Sequence, residues 1–175
     1  GRAGKFRYEA QLVAGLDAFL FDRDTWIQGG AGSPFEFKVA NKYGFAGRLD
    51  YYAMQGLRFG LSGYYGRSMH NTYPNDKEGE GKPYDKVKGE VIVGAFDFTL
   101  DRGGWIVRGN ADYGYLGDAA KISEAKINAT ASGSPAKKSR VGKNAVALGI
   151  EAGYDLFSLS TKLRNDNQKF YLFGR

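Results

Sequence analysis

Hydrophobic and polar residues alternate along most of this chain. Residues 5–14 put Phe6, Tyr8, Ala10, Leu12 and Ala14 on one side and Lys5, Arg7, Glu9, Gln11 and Val13 on the other. A period of two is the mark of a strand with one apolar face. Residues 43–54 repeat it, with Tyr43, Phe45, Leu49 and Tyr51 opposite Arg48, Asp50 and Tyr52, and the parity runs back through Phe35, Phe37 and Val39. Residues 57–66 set Leu57, Phe59, Leu61 and Tyr65 against Arg58, Ser62 and Tyr64. Residues 90–100 are less clean, because Val91 and Val93 fall on the same side as Asp97 and Thr99. Residues 105–116 and 145–156 complete the series, and 169–175 begins another strand, giving seven predicted strands. Most segments run about 10 to 13 residues, longer than the usual ~5–6 of soluble sheets.

The connections alternate in length. Met54-Gln55-Gly56-Leu57 and Asp101-Arg102-Gly103-Gly104 read as tight turns, since glycine supplies the positive φ that two-residue hairpins demand. Between them lie long polar excursions at 15–33, 67–89 and 117–144, and Pro34, Pro74, Pro83 and Pro135 fall in or beside these. That distribution is expected of a residue that cannot donate to a ladder. Residues 158–168 form an intermediate turn assigned to the short-turn side, and 119–131 have the pattern of one or two helical turns.

A meander of long antiparallel strands with one apolar face predicts an all-β, antiparallel up-and-down barrel. Two environments fit. A soluble ligand-binding barrel, periplasmic for example, turns the apolar face inward, whereas a transmembrane β-barrel turns it to lipid and keeps a polar lumen. Three features favour the membrane. The strands have the ~9–11 residues needed to cross at a tilt, short turns alternate with long loops, and aromatic residues gather near strand ends as interfacial girdles do. A barrel with a plugged lumen, acting as an adhesin or assembly component, stays open as a further alternative.

On that reading the polar face lines a pore. Its cations are Lys5, Arg7, Arg48, Arg58, Arg108 and Arg175, and its carboxylates Glu9, Asp50, Asp97, Asp112, Glu151 and Asp155. Rows of opposite charge make a wetted wall with a transverse field, or pair across strands and satisfy one another. Arg48, Asp50, Arg58, Arg108, Asp112 and Glu151 are the strongest candidates. Because the two sets balance, the net charge of +6 lies elsewhere. Residues 117–144 carry Lys121, Lys126, Lys137, Lys138, Arg140 and Lys143 against Asp118 and Glu124. A basic loop there is either a solvated surface or an attractor of anionic solutes and lipopolysaccharide.

Composition removes other classes. The 175 residues include 26 Gly, 12 Tyr, 12 Phe, one His and no Cys, which excludes disulfides, thiolate metal sites and thiol catalysis. No apolar run nears the ~20 residues of a membrane-spanning helix. There is no Gly-x-Ser-x-Gly, P-loop or His-Glu-x-x-His, so neither catalytic residues nor a cofactor is expected. His70 stands alone; Asp76, Glu78 and Glu80 lack the spacing of a calcium loop; Asn128-Ala129-Thr130 matches a glycosylation sequon by accident. Aromatics and cations occupy opposite faces, which argues against nucleic-acid stacking. The first residues lack the apolar core and cleavage site of a signal peptide.

The stretches Trp26-Ile27-Gln28-Gly29-Gly30, Pro34-Phe35-Glu36-Phe37-Lys38-Val39-Ala40-Asn41, Gly47-Arg48-Leu49-Asp50-Tyr51-Tyr52, residues 56–66 and Glu151-Ala152-Gly153-Tyr154-Asp155 resemble bacterial outer-membrane porins. The closest resemblance is to the porin O/P, phosphate-selective-porin-like group of Bacteroidetes-type bacteria. It implies passive diffusion of small hydrophilic solutes or ions, a homotrimer in the bacterial outer membrane, and a barrel of about sixteen strands. Against that size the chain is expected to be a segment of a longer porin, in one undivided domain. The wall has no excess of Lys or Arg, a departure that speaks against phosphate selectivity.

Overall fold

The computed structural model describes residues 1–32, 43–69, 84, 86–129, 136–165 and 168–175. The four prolines, His70, Asp76, Glu78, Glu80, Thr130 of the sequon and the stretch 34–41 lie outside the described residues.

Eight antiparallel strands form one open sheet in strict chain order. They are β1 (Arg2–Ala3), β2 (Phe6–Ala14), β3 (Tyr43–Met54), β4 (Leu57–Arg67), β5 (Glu90–Arg102), β6 (Trp105–Leu116), β7 (Asn144–Asp155) and β8 (Tyr171–Gly174). The count exceeds the seven read from sequence because Arg2 and Ala3 double back on Arg7 and Phe6. Two residues are too few to display a period.

The alternation becomes two continuous faces because each register pairs like with like. Tyr8 pairs with Leu49, Leu49 with Leu61, Leu61 with Phe96, Phe96 with Ala111 and Ala111 with Leu148. One residue along, Arg7 pairs with Asp50, Asp50 with Gly60, Gly60 with Asp97 and Asp97 with Asn110. A slip of one residue in any pair would mix the faces. The apolar face is open to its surroundings: Leu148 is 78% exposed, Leu12 72% and Ile150 67%.

Tight turns close one rim. In the β5–β6 hairpin Gly103 and Gly104 sit at φ +63° and +83°, a pair of left-handed positions that residues with a Cβ resist. The β7–β8 connection joins the same rim, since the Asp155 N–H donates to the Gly104 carbonyl at 2.8 Å. It holds a 3-10 turn, Leu156–Leu159, and the helix α2, Thr161–Asn165.

The core lies at the other rim. There the described parts of the long connections fold onto the polar side of the sheet. A 3-10 turn, Ala18–Leu20, and a ten-residue helix, α1 (Ala119–Asn128), bury Phe19, Phe21, Ile122 and Ala125 together with Val91 and Leu116 of the sheet. Trp26, Tyr64 and Val93 pack against this cluster. The mixed parity of residues 90–100 is thereby explained: Val91 and Val93 share the polar face but lie beneath the loops. Hydrogen bonds join the connections, with Ala18 N–H to the Ser68 carbonyl at 3.3 Å, Lys137 N–H to the Phe19 carbonyl at 2.9 Å and Val141 N–H to Ser123 Oγ at 3.1 Å.

Candidate functional site

The polar face changes character along the strands. Near the long connections its rows are Val13, Gly44, Gly66, Val91 and Leu116, then Gln11, Ala46, Tyr64, Val93 and Gly114. Nearer the tight turns the rows hold charge. Strand parity places these charges on one face, where they meet partners two residues along the same strand or across the register.

At the centre is a closed ring of four side chains. Arg48 reaches Asp50 at 2.8 Å and Asp97 at 2.9 Å, while Arg58 reaches both carboxylates at 2.6 Å. Arg58 also donates to Thr99 Oγ1 at 3.2 Å. Asp50 is the most enclosed member, its side chain 8% exposed, against 33% for Arg48. The ring closes across Gly60, where a Cβ would stand 2.4 Å from an Arg48 nitrogen and 2.5 Å from an Asp97 oxygen. Charge-assisted bonds of this length are among the stronger in proteins. Two cations and two carboxylates leave the ring electrically neutral.

Around it the polar face is looser. Arg108 meets Glu151 at 3.3 Å, with the arginine side chain 62% exposed. Asn110 donates to Asp112 at 2.9 Å, and Arg7 pairs with Glu9. Arg58, Asp97, Thr99, Arg108, Glu151 and Arg175 border a cleft of about 420 Å³. Two expected wall residues have other engagements. Lys5 donates to the Ala53 carbonyl at 2.8 Å. Asp155 is 7% exposed and accepts from Phe157 N–H at 3.1 Å and Phe170 N–H at 3.0 Å, so its carboxylate anchors the β7–β8 turn.

The register brings Arg48, Asp50 and Arg58 together, and sets Arg108 beside Glu151. Asp97 is a full partner in the ring, which parity alone does not single out. Gly60 is the residue sequence reasoning passed over. Its signal is positional, a glycine between two aspartates in one cross-strand row.

The basic 117–144 stretch divides. Lys121, Arg140 and Lys143 are exposed, but Lys126, expected among the solvated cations, is fully buried. It donates to the Phe21 carbonyl, and burial pulls its ammonium down to about 8. The helix forces this inward turn, since Lys126 lies four residues after Ile122 on the buried stripe. Asp22 beside it accepts from Lys137 and from Thr25 N–H, which hold its carboxyl well below the usual carboxylate range. Among the described residues no group of three or more His, Cys, Asp or Glu side chains is placed to hold a metal. No helix is long and apolar enough to cross a membrane, which says nothing of strands that do.

No family model matches the chain, and no curated protein or solved structure is significantly similar to it.

Proposed function

We propose that this sheet is the wall of an outer-membrane β-barrel of the porin type, through which small hydrophilic solutes or ions diffuse passively along the charged face. The observation that carries the reading is where the loops go. Their described parts cover the polar face at one rim, and among the described residues the apolar face is bare over β2 to β7, with Leu12, Phe45, Leu61, Phe96, Tyr113 and Leu148 all exposed. A soluble barrel that stores an apolar ligand needs the opposite arrangement, with the apolar face enclosed. Soluble monomers rarely leave a contiguous apolar patch larger than a few hundred Å² open, and an apolar face bare across six successive strands is accounted for by lipid. The open sheet is on this reading part of a larger closed barrel, as edges exposed to lipid are not tolerated.

The cap gives the proposed channel a shape. Phe19, Trp26 and α1 narrow the lumen at the long-loop rim, and the Arg48–Asp50–Arg58–Asp97 ring braces the wall below. Because the ring is neutral, ion preference falls to the looser charges, Arg108, Asp112, Glu151 and Arg175. Reversal potentials across planar bilayers test this. Arg108→Glu is expected to move selectivity toward cations with a single-channel conductance close to the parent's, and Arg48→Glu to do so while also lowering stability. Unchanged selectivity in both variants removes these residues from the lumen. A protein that remains in solution without detergent removes the membrane reading itself.

A further inference from the structure

A groove of about 840 Å³ runs along the outer side of α1, between the helix and residues 140–143. Its basic lining is Lys121, Arg140 and Lys143; its acidic lining is Asp118 and Glu124. Lys121 is tied to Asp118 only loosely, at 3.9 Å. Arg140 and Lys143 have no carboxylate partner among the described residues, and both are exposed. Two exposed cations without a carboxylate partner therefore face one cavity.

The groove's floor is what gives it direction. Tyr115 lines it, and by register Tyr115 belongs to the apolar face, opposite Ile92 and Asn144. The Lys143 ammonium lies over the Tyr115 ring, 5.5 Å from its centre. Below Tyr115 on the same face come Tyr113 and Val146, which pair with each other, and then Leu148. So one continuous path leads from a bare apolar surface, over an amphipathic ring, into a cation-lined recess. That sequence of environments matches an acyl chain, a sugar or glycerol backbone and a phosphate. Ile127, 46% exposed, adds apolar surface to the recess.

We propose that this groove binds the phosphorylated headgroup of an anionic membrane glycolipid, with Arg140 and Lys143 on the phosphate, Lys121 at its margin and the acyl chains lying on Tyr113, Val146 and Leu148. The proposal rests on the membrane reading above, because only a protein in a bilayer presents headgroups at this height. The groove's cations, Lys121, Arg140 and Lys143, lie where the apolar band ends. Arginine suits such a site, since its planar fork matches phosphate, and a cation near an anionic surface is worth a few-fold in affinity.

The test uses the intact protein extracted in non-ionic detergent and native mass spectrometry of retained lipid. Diphosphoryl lipid A is expected to bind at least tenfold more tightly than its dephosphorylated form. Each of Arg140→Gln and Lys143→Gln should weaken it roughly fivefold, while Arg23→Gln, which removes another exposed cation from a different loop, leaves it unchanged. Circular dichroism melts confirm that the variants fold. Equal retention of phosphorylated and dephosphorylated lipid overturns the proposal, as does full binding by the double variant. Glucosamine 1-phosphate competing as well as lipid A would make the site one for a free anion and would also overturn it. None of these outcomes touches the membrane reading, which fails separately if the protein needs no detergent.

Discussion

Gly60 occupies the one position in its cross-strand row where a side chain would break the charged ring. A methyl there meets Arg48 and Asp97 at 2.4 and 2.5 Å, so Gly60→Val must push a guanidinium or a carboxylate out of place. Such overpacking costs about 1–3 kcal/mol, and we expect a lower melting temperature in detergent together with altered conductance. Asp50→Asn acts differently, because it preserves shape and removes one charge. Arg48 and Arg58 then share Asp97 alone, the wall gains one net positive charge, and reversal potential should shift toward anions. A shift toward cations, or none, would take Asp50 off the conducting surface.

At the scale of the elements, the cap is held by few but well-buried groups. Phe19 is fully enclosed, and Phe19→Ala should cost the cap about 3–5 kcal/mol of docking. The strands beneath keep their own ladders, so the expected signature is selective: trypsin cuts sooner at Lys137 and Lys138 while heat resistance of the sheet persists. Lys126 adds a pH dependence whose sign is fixed by burial. Its ammonium is brought down to about 8 from an ordinary 10.5, so the docked cap disfavours the charged form, while the undocked cap keeps its proton to higher pH. Docking therefore releases a proton above pH 8 and strengthens from there until about 10.5. Neighbouring charges leave this direction intact, since Asp22 favours the ammonium and Lys137 opposes it. Protection of Lys137 from trypsin should rise between pH 8 and 10, and Lys126→Met should flatten that profile. The strands were legible in the sequence because alternation is a local property, and the long excursions announced themselves by proline and charge. Of the cap, only the helix was legible, as helical turns within 119–131 where α1 spans Ala119–Asn128; its docking was not. Nothing local tells that Phe19 and Phe21 return to the sheet, and Lys126 reads as one more solvated lysine until helix phase turns it inward. Val91 and Val93 carried the only trace, as apolar residues out of parity, a signal whose meaning depends on what lies above them. The ring was half legible: parity put Arg48, Asp50, Arg58 and Asp97 on one face, but their contact needs the register, and Gly60 gains its role from Arg48 and Asp97 on the neighbouring strands.

For the molecule as a whole, the deciding quantity is the free energy of the bare face, and adjacent residues on β7 measure it directly. Leu148 lies on the apolar face in the mid-strand row with Leu49, Leu61 and Phe96, while Ala147 lies on the polar face opposite Asp112. Both are exposed. In water, arginine at either exposed position would alter stability by no more than about 0.5 kcal/mol. In a bilayer the two part company. Leu148→Arg places a guanidinium near the middle of the hydrocarbon, at a cost of about 2–4 kcal/mol, whereas Ala147→Arg enters a wetted lumen and gains a carboxylate across the strand pair. Reversible unfolding from phosphatidylcholine vesicles, followed by tryptophan emission from Trp26 and Trp105, gives both numbers from one parent. A large loss for Leu148→Arg beside a negligible one for Ala147→Arg is the expected result. Equal small effects would return the apolar face to water, and the reverse order would put lipid on the charged face and turn the proposed barrel inside out.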